Sequence, residues 1–513
     1  MNVLMRWWQS DDLRGLWAAT VCVLIFAVAA TMPLTPHDLW FHVRLGEQMI
    51  EQRALVTTDI FSYTQYGKAY FNNAWLGELA LYAAWVVGGL PLLVFMRALS
   101  VLCFYAMFLW LAWRASGSER WSAWFVLLAA LASYPHWQLR PQTFALPIFT
   151  LFVVILMRYQ ERGRAPLQWL ALLMIAWVNL HGSFVFGLLL VVMTIAGDIL
   201  ERALPAMNLP MLSRPQLIRL GVWAFLTFAA MFVNPLGIGI LDAVSEIGRD
   251  PSIQGWVLEW LPANAREFPA NVFYLMVLAF LIGALFSRVR LRAAPALWSV
   301  TFIWLGWSAY RNALWACGLV VPLLSMLWAD IGEQVKMHLS ALVAGRWMQF
   351  LFRPRRFRLM RVLILSGLMG FSIIALPMFR AAFVGDDLHW WASTDTPIDA
   401  VNYIRANGLR GRTYHEIGAG SYLMWALWPQ QQVFVDSRIN LYPAEQWRDY
   451  FTVTNGQDGF EEILEKYQVD YLLVNTFWQP QLLSAVEKRS ARWQLLCHCG
   501  ESFLFGRVAG AAQ

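Results

Sequence analysis

The sequence predicts a polytopic α-helical membrane protein that ends in a small extracytoplasmic α/β domain. Of its 513 residues, 59% are hydrophobic and only 14% are charged, whereas ordinary soluble domains carry about 25% charged residues. Apolar stretches of about 18 to 22 residues recur through residues 1–380, and roughly 20 residues are needed for a helix to cross a bilayer. Charged and turn-forming residues return in residues 381–513, which we interpret as the second domain.

The first apolar segment, Leu16–Met32, is interpreted as a membrane span and not as a cleaved signal peptide. It follows Arg6 and Arg14, and it lacks the small-x-small site of signal-peptide cleavage. It leads directly into a polar motif at Asp38, as a retained first span would.

The basic segments between the apolar stretches predict the orientation of the chain. Lys and Arg are enriched in cytoplasmic loops, so these segments are expected to share one face of the membrane. This rule gives about 11 transmembrane helices, a cytoplasmic N-terminus and a periplasmic C-terminal domain, and the short loops favour a bacterial inner membrane. The basic segments are Arg114–Arg120, Arg158–Arg164, Arg202–Arg219, Arg288–Arg292 and Arg353–Arg361. The predicted spans are residues 16–34, 91–113, 120–136, 142–158, 166–181, 183–201, 216–233, 271–287, 294–309, 312–329 and 360–379.

Neither the net charge nor the cysteines indicate another class of protein. The net charge of +6 comes from short Arg clusters between spans, which are typical of topology signals and not of nucleic-acid binding. Cys22, Cys103 and Cys317 fall inside predicted spans. Cys497 and Cys499 form a C-x-C pair, which fits either a disulfide or half of a metal site.

The segment Trp75–Val87 leaves the number of spans open. It is apolar but short, and Gly88-Gly89 separates it from the next predicted span. As a twelfth span it would place the following basic loops on the wrong side of the membrane. We interpret it as a juxtamembrane helix on the outer face, and a true span is the alternative.

Polar residues collect on the outer face in this orientation. Seven of the eight histidines fall there and only His338 is cytoplasmic, which favours a single outward-facing polar site. The outer residues are His37, Asp38, His42, Asp59, Asn72, Asn73, Glu78, His136, Arg140, Gln142, Asn179, His181, Asn234, Glu259, Tyr310, Arg311 and Asn312.

Asp38 is the leading catalytic candidate. A carboxylate near lipid is costly and marks a site by default, and at the mouth of a span it can be tuned as a general base. His42 lies four residues on and shares a helix face with Asp38. The pair fits a divalent-cation site, or His42 orients the carboxylate. The structural alternative is that Asp38 begins the helix Leu39–Glu51.

The first outer loop, residues 35–90, contains two further polar motifs. Asp59 lies in Thr58–Thr64 and Glu78 lies in Asn72–Glu78, where polar and aromatic residues alternate. Long ordered loops are usually functional. The alternative is a structured cover for the helical bundle.

Arg140 and Arg311 are the candidates for anion binding. Arg140 lies at the outer end of a span, and Arg311 interrupts an apolar stretch. A buried Arg is costly unless an anion or a carboxylate pairs with it, and its paired donors suit a phosphate. The sequence leaves open whether the partner is a ligand or an internal carboxylate such as Glu78 or Glu259.

A tight outer turn, Trp177–Ser183, joins two predicted spans and brings Asn179 and His181 to the same face. The chain has no Walker A loop, no G-x-G-x-x-G sequence and no D-x-D motif. A donor used on the outer face would therefore have to be lipid-linked, because cytoplasmic nucleotides do not reach it.

The C-terminal third alternates predicted helices and strands, which is typical of a small α/β domain. The segment Met337–Arg358 before it is predicted to be an amphipathic, basic linker on anionic lipid headgroups. The predicted helices are Pro397–Asn407 and Gly459–Gln468, and the predicted strands are Arg412–Tyr414, Gln432–Asp436 and Asp470–Val474.

These motifs resemble those of the GT-C glycosyltransferase superfamily, whose members include the protein O-mannosyltransferases and the aminoarabinose transferases that act on lipid A. The likeness covers nearly the whole chain and is greatest to a bacterial GT-C-like group of largely undefined substrate. The motifs that carry it are Asp38–His42, Asp59–Thr64, Asn73–Glu78, Arg140–Gln142, Trp177–Gly182, Asn234–Gly237, Glu259-Trp260, Arg311-Asn312 and Val433–Arg438.

The resemblance implies inverting transfer of a sugar from a polyprenyl-phosphate donor to a glycan, lipid or protein acceptor. Asp38 matches the catalytic carboxylate, and Arg140, Arg311 and His181 are our candidates for stabilising the departing phosphate. Several relatives carry two adjacent acidic residues where this chain has His37-Asp38, so the use of a divalent cation, with Asp38 and His42 as candidate ligands, stays open. The predicted substrate-binding residues are His42, Asp59, Glu78, Arg140, Asn179, His181, Glu259 and Arg311.

Two other classes of function are compatible with the sequence. A transporter or flippase of a lipid-linked glycan would use the same arginines but would need a polar path across both leaflets, and the cytoplasmic halves of the spans are almost purely apolar. A non-catalytic subunit of an envelope assembly complex would use mainly the C-terminal domain.

Overall fold

The structure, a computed structural model, describes residues 15–204, 211–249, 258–342, 358–385, 387–489 and 491–508. Helices dominate the part up to residue 385, and a small mixed sheet appears in the C-terminal part. The helices of the first part are α1 (Leu16–Thr31), α2 (Asp38–Gln52), α3 (Trp75–Ser116), α4 (Glu119–Ser133), α5 (Gln142–Arg162), α6 (Gln168–Leu180), α7 (Val185–Ala203), α8 (Arg214–Ala230), α9 (Ile240–Arg249), α10 (Ala270–Phe286), α11 (Ala293–Ser308), α12 (Ala313–Leu342), α13 (Arg358–Ile374) and α14 (Pro377–Val384).

Each of the predicted spans coincides with a helix of the structure. Within the described residues, α3, α5, α7 and α12 are long and apolar enough to cross a membrane. The pair α13 and α14, bent by 57°, gives a fifth if it counts as one span. The helices α1, α6 and α10 are apolar but shorter. The count of eleven stays a prediction, and most of the predicted linker Met337–Arg358 lies outside the described residues.

Helix α3 joins two layers of the molecule. Its backbone leaves the helical conformation at Gly89 (φ 56°, ψ −149°). Before the break, Leu81 and Ala84 pack in a cluster with α2, whereas Ala98 and the following buried residues belong to the core of the helical bundle. The cluster with α2 continues beyond the break as far as Val94, so the change of packing partner falls between Val94 and Ala98 and not at Gly89. The relation of the outer half, Trp75–Val87, to the bilayer stays a prediction.

The C-terminal part contains a four-stranded sheet in the order β1-β2-β4-β3, with β1 parallel to β2 and the other pairs antiparallel. This confirms an α/β arrangement, although β3, β4, α16, α17 and α19 had not been predicted. The elements are α15 (Ile398–Ala406), β1 (Thr413–His415), α16 (Ile417–Leu427), α17 (Ala444–Thr454), α18 (Phe460–Lys466), β2 (Tyr471–Asn475), α19 (Pro480–Glu487), β3 (Trp493–Cys499) and β4 (Ser502–Arg507). Cys497 and Cys499, both in β3, form a disulfide.

The prediction of a strand at Gln432–Asp436 was wrong. This segment is extended but lies outside the sheet, because its backbone pairs with the first outer loop. The Val433 N–H donates to the carbonyl of Phe61 (3.0 Å), and the Tyr63 N–H donates to the carbonyl of Val433 (3.1 Å). These backbone hydrogen bonds thus fasten the loop to the C-terminal domain.

The first outer loop and the C-terminal domain share one hydrophobic cluster. Helix α16 packs against α2 through aromatic rings: Trp40 lies 4.7 Å from Trp425 and 5.2 Å from Tyr422 between ring centroids. Trp85, from the outer half of α3, contacts Trp425 at 5.4 Å. The contacts between the two predicted domains therefore include the helix that begins at Asp38.

A buried ion cluster also connects the first outer loop to the C-terminal domain. Arg438 Nη2 lies 2.7 Å from Asp59 Oδ1 and 2.6 Å from Asp436 Oδ2, and all three side chains are almost completely buried. The Tyr442 hydroxyl donates a further hydrogen bond to Asp436 (2.8 Å). Asp59 also accepts hydrogen bonds from the backbone N–H groups of Phe61 (3.2 Å) and Ser62 (3.1 Å).

Replacing Arg438 with Met is expected to destabilise the protein by about 3–5 kcal/mol, because Asp59 and Asp436 would be left buried without a counter-charge. Thermal unfolding of the detergent-purified protein measures this loss. The control is Lys466→Met, which removes an exposed pair with Glu445 and Asp449 and should cost no more than about 1 kcal/mol. Equal losses in the two variants would contradict a special role for the cluster.

His415 adds a pH-sensitive contact in the same region. The Phe434 N–H donates to His415 Nε2 (3.0 Å), while His415 Nδ1 lies 2.9 Å from the carbonyl of Glu416. This arrangement requires a neutral imidazole with its proton on Nδ1. Burial lowers the pKa of His415 from its usual 6.5 to about 4.

The stability of the C-terminal domain is therefore expected to fall as the pH drops from about 6.5 to 4, since the unfolded chain takes up a proton that folded His415 does not. The full effect is about 3 kcal/mol. Unfolding temperatures across this range should fall less steeply in His415→Gln. His389→Gln is the control, because the exposed His389 has its pKa raised by Asp387; an unchanged slope in His415→Gln would contradict the assignment.

Candidate active site

Asp38 is the first residue of α2, which a short segment separates from the end of α1 at Thr31. Its side chain is 28% exposed, so a solute can reach it. The segment before it is held in place because the Trp40 indole donates to the carbonyl of Thr35 (3.0 Å). Asp38 thus lies in the first turn of α2, but the capping position is His37 and no side-chain capping hydrogen bond is formed there.

Arg140 connects Asp38 to a second carboxylate. A single nitrogen, Nη1, donates to Asp38 Oδ2 (3.1 Å) and to Glu259 Oε2 (3.0 Å). The Nε and Nη2 atoms of Arg140 are buried and have no hydrogen-bond partner among the described residues. Burial alone would lower the pKa of the guanidinium, but Glu259 and Asp38 raise it above its usual value, so Arg140 is a permanent cation.

Glu259 belongs to a short turn, Leu258–Trp260, in the outer loop before α10. Burial would raise the pKa of its carboxyl group, but the charges of Arg140 and Arg311 lower it to about 2. Glu259 is thus an anion at neutral pH. Sequence reasoning named it as an internal partner for an arginine, and the structure brings it to Arg140.

Arg311 belongs to the same set of charged residues as Arg140 and Glu259, but it does not pair with a carboxylate among the described residues. Its guanidinium lies 4.6 Å from the ring centroid of Trp260, and no ion pair to Arg311 occurs in the described parts of the chain. Burial and the neighbouring Arg140 lower its pKa. The Tyr310 N–H fixes the segment by donating to the carbonyl of Leu261 (3.0 Å).

A second polar group lies at the base of α3. His42 Nδ1 is 3.0 Å from Glu78 Oε1, and the Asn72 amide donates to Glu78 Oε2 (2.6 Å). Glu78 is completely buried. Both predicted substrate-binding residues, His42 and Glu78, are therefore engaged with the chain itself, and their contacts join α2, the first outer loop and α3.

Asn179 and His181 are also held by local contacts. The Trp75 indole donates to Asn179 Oδ1 (2.8 Å), and the Asn179 amide donates to the carbonyl of Val233 (2.9 Å). His181 Nδ1 accepts the Ser183 N–H (3.0 Å), so a neutral ring carries its proton on Nε2. Asn179 is a link between segments, whereas the Nε2 edge of His181 has no partner among the described residues.

Asp59 lies apart from this site, in the ion cluster with Arg438. The structure thus brings together Asp38, Arg140, Glu259 and Arg311, while Asp59 fastens the loop to the C-terminal domain. A substrate contact for Asp59 stays a prediction that this geometry does not favour.

His136 was not among the predicted binding residues, although it lies four positions before Arg140. Its ring is buried edge-on against Tyr310, with 4.5 Å between the ring centroids. Neither ring nitrogen has a hydrogen-bond partner among the described residues. The sequence feature that could have indicated His136 is its position in the same predicted outer segment as Arg140.

The predicted metal pair, Asp38 and His42, is divided between two networks, since Asp38 bonds Arg140 and His42 bonds Glu78. Within the described residues, no group of three or more His, Cys, Asp or Glu side chains could hold a metal ion. A divalent cation stays an untested expectation.

His37 ties the site to the C-terminal domain. A Cβ atom on Gly418 would overlap the His37 ring and lie 2.9 Å from Glu416 Oε2. Glu416 is buried at the start of α16 and accepts the Ala419 N–H (3.0 Å). The close approach of His37 to α16 therefore requires a glycine at position 418.

A cleft of about 670 Å³ lies elsewhere, on the surface of the C-terminal domain. It is lined by Asn455, Gly456 and the α19 segment up to Arg489. None of the Asp38, Arg140, Glu259 or Arg311 side chains contributes to it.

The fold that positions this site is similar to that of ArnT, in keeping with the GT-C fold that the resemblance of the motifs implies. The crystal structure of ArnT from Cupriavidus metallidurans bound to undecaprenyl phosphate aligns over 97% of this chain and 98% of its own, with a TM-score of 0.50 and 14% sequence identity. The apo structure of ArnT covers the same shares at 14% identity, with a TM-score of 0.49. No protein-family description and no curated protein sequence matches the chain. At this identity the likeness shows the fold alone.

Gly418→Ala is expected to destabilise the protein by about 1–3 kcal/mol, because the added methyl group overlaps the His37 ring. The matched control is Gly221→Ala in α8, where a Cβ meets nothing within 4 Å and alanine should be neutral or stabilising by up to about 1 kcal/mol. Thermal unfolding of both variants measures the difference. A Gly418→Ala protein as stable as the wild type would contradict the close contact.

Proposed function

We propose that the protein transfers a sugar, with inversion, from a polyprenyl-phosphate donor to an acceptor on the extracytoplasmic face of the bacterial inner membrane. The observation that carries the proposal is the pairing of a reachable carboxylate, Asp38, with a buried Arg140 that keeps two nitrogens unpaired among the described residues. The GT-C fold supports the reaction class, and a polyprenyl lipid is chosen because the similar ArnT structure is bound to undecaprenyl phosphate. The acceptor is a glycan, lipid or protein hydroxyl group.

In the proposed reaction Asp38 removes the proton of the acceptor hydroxyl group. The acceptor oxygen forms a bond to the anomeric carbon from the side opposite the phosphate, and the bond between that carbon and the phosphate oxygen breaks. The polyprenyl phosphate leaves with the electron pair of the broken bond. Every step uses the chain's own residues.

Arg140 and Arg311 would stabilise the departing phosphate. Charge develops on the leaving oxygen in the transition state, and buried cations that are already in position lower the energy of that charge. The Nε and Nη2 atoms of Arg140 form the side of the guanidinium that suits two phosphate oxygens. His181, through its Nε2–H, is the third proposed donor.

In this proposal the N-terminus is cytoplasmic and the C-terminal domain is periplasmic. The domain's contacts with α2 place its Trp425 and Gly418 against the segment that holds Asp38. The domain would therefore cover the site on the side away from the membrane, where an acceptor arrives.

Asp38→Asn is expected to reduce sugar transfer at least about 100-fold, since a general base typically contributes 10²–10⁴ in rate. Purified membranes supplied with radiolabelled undecaprenyl-phosphate sugars provide the assay, and the labelled product identifies the acceptor. Asp242→Asn, an exposed carboxylate in α9, is the matched control.

Equal transfer by wild type and Asp38→Asn would remove Asp38 from the mechanism. A folded wild-type protein that binds undecaprenyl phosphate but transfers no sugar would favour the transporter or the assembly-subunit alternatives. Deletion of residues 381–513 that abolishes function while Asp38→Asn stays active would point to the subunit.

A further inference from the structure

Two neighbouring aromatic side chains are exposed on the surface of the C-terminal domain. Phe477 and Trp478 follow β2 almost directly, and Phe477 is 74% exposed. Their rings are perpendicular, with 4.8 Å between the centroids. Single exposed apolar side chains are common, but adjacent large ones mark a surface that contacts a partner. The pair is therefore a candidate contact surface of the domain.

The turn that carries this pair, Asn475–Trp478, is called the aromatic turn below, and its shape is fixed by the domain itself. The N–H groups of Phe477 and Trp478 both donate to Asn475 Oδ1, at 2.9 and 3.0 Å. The Thr476 N–H donates to the carbonyl of Glu501 (3.0 Å), and the Thr476 hydroxyl donates to the Glu501 carboxylate (2.8 Å). Because the turn is preformed, it loses little conformational freedom when its rings bind a partner.

The aromatic turn lies beside the segment that follows α14, close to the end of α1. The Trp478 indole donates to Asp395 Oδ2 (3.3 Å). Two residues before Asp395, the Ser393 N–H donates to the carbonyl of Leu34 (2.8 Å). Leu34 follows the last residue of the apolar helix α1 by three positions. The aromatic turn is therefore near the level at which α1 ends.

A second set of contacts connects the aromatic turn to Trp390, which is also exposed. His389, the residue before Trp390, has its Nε2 atom 3.0 Å from Asp399 Oδ1. A Cβ atom on Gly500 would lie 3.7 Å from Asp399 Oδ2, and the next residue, Glu501, binds the aromatic turn. Trp390 and the aromatic turn therefore belong to one part of the surface.

Helix α14 exposes aromatic rings immediately before this part of the surface. Phe379 and Phe383, one helical turn apart, are both exposed, with 5.0 Å between their ring centroids. Arg380, between them in sequence, lies over the Trp391 ring (4.8 Å) and bonds the carbonyl of Trp390. Since α13 and α14 together are a candidate membrane span, the exposed rings of α14 suit the bilayer, and Trp390 continues them.

The charges near the aromatic turn exclude attraction to anionic lipid as the source of a membrane contact. Asp395 and Glu501 bond the turn, and Asp387 and Asp399 flank His389. Carboxylates repel anionic headgroups, whereas Trp and Phe side chains enter the membrane interface through their apolar surface. A membrane contact here would depend on the aromatic rings.

We propose that the aromatic turn and Trp390 form a membrane-contact surface, by which the C-terminal domain rests on the outer interface of the bilayer beside α14. The Phe477 ring enters the boundary between headgroups and acyl chains, and Trp478 lies at the level of the headgroups with its N–H on Asp395. The contact holds the domain at a fixed height above the end of α1. This inference uses the predicted membrane position of the helices, and it does not depend on sugar transfer.

The test uses full-length protein in phosphatidylcholine nanodiscs, with the photoreactive analogue p-benzoylphenylalanine in place of Phe477. After irradiation, lipid adducts detected by mass spectrometry should be at least about tenfold more abundant than with the analogue in place of Tyr66, because only the first ring lies within the interface. Tyr66 is the matched control, since it is 66% exposed in the first outer loop and its neighbour Gln65 bonds Gln446 in α17. The analogue in place of Phe383 provides the yield of a ring in lipid.

An adduct yield at position 477 no higher than at Tyr66, with abundant adducts at Phe383, would overturn the proposal. The same measurement with the analogue in place of Trp390 should also give lipid adducts, and thermal unfolding verifies that each variant is folded. Phosphatidylglycerol added to the nanodiscs should not raise the yield at position 477, and a several-fold rise would contradict a contact made by the rings alone. In native membranes, adducts of position 477 with a protein or a glycan in place of phospholipid would show that another partner covers this surface and would overturn the proposal.

Discussion

The ion pair between Arg438 and Asp59 is the contact on which the outer half of the molecule depends. It joins the first outer loop to the C-terminal domain where all three charged side chains of the cluster are excluded from water. Buried charges of this kind hold geometry more than they add stability, because removal of one partner strands the other. Helix α2, which begins at Asp38, belongs to the same loop and packs on α16 of the domain. The placement of Asp38 is therefore a property of both ends of the chain.

The carboxylates paired with Arg438 and those paired with Arg140 differ in their exposure to solvent. Around Arg438 the carboxylates are fully buried, and the arginine uses both Nε and Nη2 to bind them. Around Arg140 the carboxylates of Asp38 and Glu259 are 28% and 33% exposed, and only Nη1 is used. The first arrangement suits a fixed joint, whereas the second leaves both acid and base groups within reach of a substrate.

The sequence was sufficient for the features that depend on local composition. Apolar runs located the helices of the first part, and the cost of burying Arg140 indicated that it needs a partner, which the structure supplies in Asp38 and Glu259. It was insufficient where partners lie far apart along the chain, as for Asp59 and Arg438. The apolar run at Gln432–Asp436 has the composition of a strand, but its partner is the first outer loop and not the sheet. Helix α16 was missed because Gly418 and Gly420 at its start are typical of a loop, and only contact with His37 and Val435 explains them.

The contact between the first loop and the C-terminal domain also sets an order of events during biogenesis. The Thr64 hydroxyl bonds the carbonyl of Phe434 across 370 residues of sequence, and the Gln432 amide reaches the carbonyl of Ile60 across 372. At a synthesis rate of roughly 5–20 residues per second, the loop waits about 20–70 s for its partners. During that interval Asp59 has no Arg438 and Trp40 has no Trp425, so the loop remains incomplete while the bundle forms. A nascent chain of this protein should therefore present an unfinished surface to chaperones and proteases until Arg438 and the segment around it have been synthesised.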